Sequence, residues 1–291
     1  MRPEAQNATD ASALDLLTRR IRECATPFGE GSALSIDCEL ALAGELGVSR
    51  REVQSAALLA GVLPLRYARN VGSIGVDGQA KLLRSRAVVL GVGGLGGFIV
   101  EGLARMGIGR VHVVDGDTFA EHNLNRQLLA IEATLGCPKA VVACERAKSV
   151  NGAVEVVPHV CFLDAANAHD LLSDADVAVD ALDSIPARLL AQDAAAAVSI
   201  PLIHGAIAGF YAQVMSIYPG DLGLKRFYRT DSAPERGIEV VLGNPAATPM
   251  LCAALQVHEV VKALLGVGTP LRDRLFTIDA FDCYADVQSL A

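Results

Sequence analysis

Tryptophan is absent from the 291 residues, and aromatic side chains make up only 4% of them. A core built with so few large rings must be filled by Ala, Val, Leu and Ile, the composition of buried parallel strands covered by helices. No run of Lys and Arg occurs and the formal charge is −8, which argues against a broad electrostatic footprint on nucleic acid, DNA included. The seven cysteines are scattered, with no C-x-x-C pair, so they read as free thiols of a reducing compartment. The opening MRPEAQNATDASALDLL has no basic stretch leading into an apolar one, so no signal peptide is expected, and the expected location is cytoplasmic. Residues 194–220 carry no Asp, Glu, Lys or Arg, but Pro201, His204, Gly205, Gly209 and Gln213 interrupt them. They read as two short strands, and no membrane partner is expected.

What is present is hydrophobic: 52% of the residues, enough for a large core without staples. Residues 1–65 differ from the rest and read as two or three short helices. Within them ELALAGELGVSRREVQSAALLAG resembles a helix-turn-helix, with Gly47 at the turn and Ser49 as the next N-cap. The second helix runs into an apolar face, and six Arg against nine acidic residues leave the segment at −3, so docking on protein is expected there. From residue 66 onward strands alternate with helices: RAVVLGV, RVHVVDGD, VEVVPHVCF, DVAVDALD, PLIHGAI, AQVMSIY and DRLFTIDAF read as strands. The helices between them include GLGGFIVEGLARMG, CPKAVVACERAKSVNG, DAANAHDLLSDA, IPARLLAQDAAAAV and the long TPMLCAALQVHEVVKALLG. This alternation predicts an α/β fold, a Rossmann-like doubly wound and mostly parallel sheet, with 1–65 as a helical N-terminal extension and 66–291 as the nucleotide-binding domain.

The chemistry begins at VVLGVGGLGG. Gly91, Gly93 and Gly96 fit G-x-G-x-x-G between a strand and a helix, so backbone N–H groups face an anion above the turn. Asp115 ends the next strand, where a carboxylate can accept both ribose hydroxyls. To this point NAD and ATP fit equally well. Asn123, Asn125, Arg126 and Gln127 then gather past that strand, with Lys139 opening the next helix. Such a group of donors suits a triphosphate from which pyrophosphate must leave, more than a nicotinamide pocket. Asp183, at the same edge of the sheet, suits Mg²⁺ shared with phosphate oxygens. Cys252, Cys137, Cys144, His204 and His258 fit packing positions on strands and helices.

These residues resemble a family, the E1-like adenylyltransferases of the MoeB, ThiF and HesA type. The resemblance rests on RYARN (66–70), GVGGLG (91–96), VVDGD (113–117), NLNRQ (123–127), GCPKA (136–140) and DALDSIPAR (180–188), in that order, with HGAIAGFYAQV and EVVKALLG extending it. It implies a homodimer that binds ATP and Mg²⁺ and adenylates the C-terminal glycine of a small ubiquitin-fold protein ending in Gly-Gly. It implies that Gly94, Asp115 and Asp117 lie at the nucleotide, with Asn123, Arg126, Gln127 and Lys139 around the phosphates. Asp183 would hold the metal, and Arg69 would reach the neighbouring subunit's site as an arginine finger. Two departures from the family pattern stand out. GLKRFYR replaces the first of two C-x-x-C pairs and the tail offers only Cys283, so no zinc site is expected. Residues 221–243 contain no cysteine, which leaves no thiol in that loop for covalent chemistry.

The leading expectation is therefore activation of a MoaD- or ThiS-like sulfur carrier for molybdopterin, tungstopterin or thiamin synthesis. Adenylation of a tRNA-base carboxylate is the alternative within the fold, with a non-catalytic nucleotide-binding regulator behind it. An NAD oxidoreductase ranks last.

Overall fold

Ser35 and Ser49 each accept a hydrogen bond from the backbone N–H three residues on, and these caps start two of the N-terminal helices. The computed structural model describes residues 4–228 and 234–290, with residues 4–12 described through their backbone alone. Helices α1 (Glu4–Cys24), α2 (Ile36–Leu46) and α3 (Arg50–Leu59) fill the first part of the chain. Gly47 closes α2 in the left-handed conformation, and Ser49 and Glu52 form a capping box for α3. The turn and cap of the helix-turn-helix reading are in place. Strands β1 (Thr26–Phe28), β2 (Gly31–Leu34) and β3 (Val62–Pro64) were not expected, and they make a small three-stranded sheet beside the helices. Runs of three and four residues containing Pro27 and Gly31 are too short to show a period of two. This region has its own core, formed by Leu17, Ile21, Leu34, Leu42, Val53, Ala56, Ala57 and Val62.

A buried polar chain ties that region to the rest. Arg50 Nε and Gln54 Nε2 donate to the two oxygens of Glu39, and Tyr67 Oη donates to Gln54 Oε1 at 3.0 Å. Asn151 Nδ2 in turn donates to Tyr67 Oη at 3.0 Å and to Ala104 O at 2.9 Å. Burial pushes the Tyr67 hydroxyl up to about 12.

Helix α4 (Val71–Arg84), kinked at Gly75, leads into the main sheet; the glycines of VGSIGVDG had hidden it from a periodicity reading. The sheet then builds as β4 (Arg86–Leu90), α5 (Gly96–Met106), β5 (Arg110–Val114), α6 (Lys139–Val150) and β6 (Glu155–His159). It continues with α7 (Ala168–Leu172), β7 (Val177–Asp180), α8 (Ile185–Ala197), β8 (Leu202–Ala208) and β9 (Tyr211–Ile217). A single-turn α9 (Glu239–Leu242), the long α10 (Ala247–Leu265), β10 (Arg274–Asp279) and β11 (Tyr284–Ser289) complete it. Pro138 stands at the N-cap of α6.

Strand order across the eight-stranded sheet is β11-β10-β9-β8-β7-β4-β5-β6. The strands from β6 to β8 pair in parallel, and β9, β10 and β11 add an antiparallel flank. The last strand, YADVQS, is polar enough to have read as tail. One face of the sheet packs on α5, α6 and α10 through Val89, Ile99, Leu103, Val113, Ala143 and Val260. The other packs on α7 and α8 through Val88, Leu172, Ile185, Leu189 and Leu202. Chain direction across the sheet reverses between β4 and β7, so their carboxyl ends flank the crevice where doubly wound sheets bind ligands. Among the described residues no helix is long and apolar enough to cross a membrane.

Candidate active site

Three strand ends meet at that crevice, and each delivers a different chemical group. After β4 comes the glycine turn. Gly91 has φ +91°, and a Cβ there would meet Ala181 O at 2.6 Å. A Cβ on Gly96 would lie 1.9 Å from Gly91 O, so this glycine exists to let α5 start against the turn. After β5 comes Asp115, whose Oδ2 accepts from Val92 N at 2.6 Å and whose Oδ1 accepts from Asp117 N at 2.8 Å. Burial raises its carboxyl above the usual aspartate range, while the two backbone donors and nearby Lys139 oppose that shift. After β7 comes Ala181–Leu182–Asp183. Between these ends opens a cleft lined among others by Gly93, Gly94, Arg126, Gln127, Lys139 and Arg188.

The cations are placed for an anionic ligand. Lys139 is 7% exposed and its Nζ lies 3.1 Å from Asp117 Oδ2, which keeps the ammonium aimed into the cleft. Arg126 Nη1 donates to His122 O and Asn125 Oδ1, both at 2.9 Å, which orients its guanidinium. Gln127 is 6% exposed, and its Oε1 is buried with no hydrogen-bond partner. Asn244 Oδ1, also on the cleft lining, is a second such acceptor.

The remaining expected residues are placed as follows. Asn123 is buried behind the lining, where its Oδ1 accepts from Ala120 N at 3.0 Å; its visible work is to hold the NLNRQ turn. Gly96 also stands behind the lining. Asp183 is on the cleft wall, with Oδ2 3.0 Å from Arg236 Nη2. Arg69 is exposed on the turn before α4 and is not part of this chain's own cleft lining. Cys252 is fully buried on α10, and burial pushes its thiol up to about 12, which makes it inert packing. Cys144 is likewise raised by burial. Cys283 is in the β10–β11 turn, and among the described residues no three His, Cys, Asp or Glu converge as a metal group. Of the loop at 221–243, residues 229–233 lie outside the described residues.

The sequence reading missed Arg188, a lining residue whose Nε and Nη2 donate to Leu182 O at 3.1 and 2.8 Å. It missed the wall formed by Cys161, Phe162 and Leu163 as well; a Cβ on Gly116 would lie 2.8 Å from the Phe162 ring. Arg188 is part of DALDSIPAR and could have been singled out there, whereas no motif marks Phe162.

A glycine turn, a buried carboxylate and converging Lys and Arg side chains at a switch point are the features of an α/β nucleotide-binding enzyme. The ThiF family model matches residues 67–289, and the chain belongs to that family, an E1-like group of adenylyltransferases. It is 36% identical over 222 residues to the SAMP-activating enzyme E1 of Haloferax volcanii, covering 75% of this chain and 82% of that one. The sulfur carrier protein adenylyltransferase of Thermus thermophilus is 36% identical over 234 residues, with 75% and 83% covered. Among solved structures, Escherichia coli MccB with ATP superposes with TM-score 0.65 at 20% identity, over 96% of this chain and 87% of that one. That similarity extends the shared fold.

Proposed function

We propose that this adenylyltransferase activates the C-terminal glycine carboxylate of a small ubiquitin-fold sulfur carrier ending in Gly-Gly. The carboxylate oxygen attacks the α-phosphorus of ATP, a new P–O bond forms, the bond to the β-phosphate oxygen breaks, and pyrophosphate leaves with an acyl-adenylate behind it. Such a reaction needs alignment and charge neutralisation more than a protein nucleophile. The observation that carries the proposal is the convergence of Lys139 and Arg126 on a cleft floored by the glycine turn and Asp115.

In this reading the Asp115 carboxylate accepts the ribose hydroxyls. The backbone at Gly93 and Gly94 approaches the phosphates, since a Cβ on either would meet nothing closer than 3.6 Å and the space above the turn is open. Lys139 and Arg126 neutralise the leaving oxygens, and Asp117 aims the Lys139 ammonium. The donor set fits magnesium. Asp183 offers a carboxylate at the cleft wall whose present partner is an exposed, exchangeable guanidinium. Asp183 would hold the ion, which when bound would neutralise charge on the pyrophosphate. Arg69 supplies a further cation from the second subunit of a homodimer, which accounts for its distance from its own cleft. Residues 1–65 would form a separate unit, not purely helical because β1–β3 make a small sheet beside its helices, docked on the adenylation domain, 66–291.

ATP–pyrophosphate exchange with Mg²⁺ tests this reading, adding in turn the small Gly-Gly-ending proteins of the same genome and then bulk tRNA. Exchange that depends on one carrier and disappears with Asp183→Ala is the expected result. Exchange driven by tRNA, or none while ATP still binds, would overturn the substrate assignment.

A further inference from the structure

Register pairs Asp180, the last residue of β7, with His204 of β8, and both side chains are buried, 0% and 1% exposed. A carboxylate and an imidazole buried at the end of the parallel pair β7–β8 are costly, and space-filling alone would be served better by Leu or Val. Their hydrogen bonds explain them. His204 Nδ1 lies 2.7 Å from Asp180 Oδ2, and Asp180 Oδ1 accepts from Leu182 N at 3.0 Å. The carbonyl of the same residue, Leu182, accepts the two donors of Arg188. Leu182 is therefore gripped on its N–H by a carboxylate and on its C=O by a guanidinium, and Asp183 follows immediately.

The other ring nitrogen sets the tautomer. Gln213 Nε2, on β9, lies 3.4 Å from His204 Nε2, so an amide donor faces the imidazole lone pair and the proton belongs on Nδ1. Gln256 of α10 holds the strand end from the opposite side, donating Nε2 to Asp180 O at 2.8 Å and to Ile203 O at 3.2 Å. Ala181 N donates to Leu90 O at 2.9 Å, which couples this segment to the start of the glycine turn. His204 and Asp180 are beneath the cleft and line no part of it.

We propose that His204 is a positioning residue: through Asp180 it orients the Leu182 peptide and so fixes where Asp183 presents its carboxylate to a divalent cation. This rests on the reading of Asp183 as the metal ligand. Without the imidazole, Asp180 Oδ2 would keep only the Arg188 guanidinium, 4.0 Å away, and the carboxylate would be free to turn from Leu182.

The test uses the full chain with a non-hydrolysable ATP analogue and Mn²⁺ as the probe, the free ion being read by its paramagnetic resonance signal. His204→Leu is expected to weaken Mn²⁺ binding about tenfold, the lower end of the range for removing a partner that orients a ligand. AMP binding without metal should stay within about twofold of wild type. His204→Asn, whose amide can donate from near the Nδ1 position, should stay within about threefold for Mn²⁺, a rescue that loss of packing alone would not permit. Unchanged Mn²⁺ affinity in His204→Leu would overturn the proposal. So would an Asn variant as weak as the Leu one, or a parallel fall in AMP affinity. Should the Leu variant not fold, His204→Ser, too short to reach the carboxylate, is judged by the same outcomes. Asp183→Ala separates the two readings. If it leaves Mn²⁺ affinity intact, the metal assignment fails; if it abolishes binding while His204→Leu keeps it, only the positioning role fails.

Discussion

Replacing Gly96 and Gly93 separately by alanine should split folding from ligand binding at the glycine turn. A Cβ on Gly96 would be 1.9 Å from Gly91 O and 2.8 Å from Gly91 C, where 3.0 Å is the practical floor for such contacts. Both obstacles are backbone, so no side chain can move aside; the turn and α5 must part by about 1 Å. That displacement would loosen contacts at the start of a helix whose Ile99, Val100 and Leu103 are core residues. The expected cost is about 3 kcal/mol, the upper end of the range for overpacking a core. At Gly93 the first obstacle is Gln127 Nε2 at 3.8 Å, an ordinary contact, so Gly93→Ala should change stability by less than about 0.5 kcal/mol. Its methyl would instead stand where phosphate approaches the backbone, and ATP affinity should fall by about tenfold or more. Denaturant titration measures the first effect and calorimetric titration with ATP the second. Wild-type stability in Gly96→Ala, or strong destabilisation in Gly93→Ala, would refute this division of labour.

Lys139→Met should raise the Kd for ATP about tenfold or more, the value of a hydrogen bond to a charged group, while leaving adenosine affinity nearly unchanged; equal losses for both ligands would remove Lys139 from the phosphates. As a carboxylate Asp115 offers two strong acceptors to ribose hydroxyls and loses one on protonation, so its raised carboxyl predicts that AMP affinity weakens on acidification before an ordinary aspartate would titrate. Asp115→Asn should bind weakly with no such pH dependence, whereas equal pH profiles would exclude the role. The same shift opposes folding of the free protein once pH exceeds the unfolded-state value, because the native state holds the proton more tightly. His112 and His159 stack with ring nitrogens 2.9 Å apart, and burial lowers both, helped at His112 by the neighbouring ring. The unfolded chain then binds protons more readily, so stability is full above about pH 6.5 and falls as pH drops through the lowered native values. His159→Gln should flatten that acid limb in denaturation curves; parallel curves from pH 7 to 5 would refute it. Tyr67→Phe leaves Gln54 Oε1 without its donor in the buried chain and should cost about 1–3 kcal/mol in a denaturant titration. A cost near zero would mean that the chain does not anchor residues 1–65.

Local patterns carried most of the α/β reading. RAVVL, RVHVV and VAVD are apolar because they are buried between helix layers, and that burial pattern is written in the residues themselves. The site was legible for a related reason. Gly91, Asp115 and Lys139 follow a strand or open a helix, so the order of elements alone brings them to one edge of the sheet. Arg188 and Phe162 were harder, since reaching the cleft depends on how α8 and the segment after β6 pack. The small N-terminal sheet was missed because strands of three and four residues are decided by their partners, here β2 between β1 and β3.

By itself the sequence determined the alternating elements and the glycine turn, which follow from periodicity and local composition, and it singled out candidate donors for a phosphate. Only the tertiary structure decided which side chains meet between one element and another. It put Asp180 beside His204, Tyr67 against Gln54 and Asn151, and Asp183 against Arg236. Those pairings depend on strand register and loop path, which are set by the packing of the whole chain and which no local run of residues encodes.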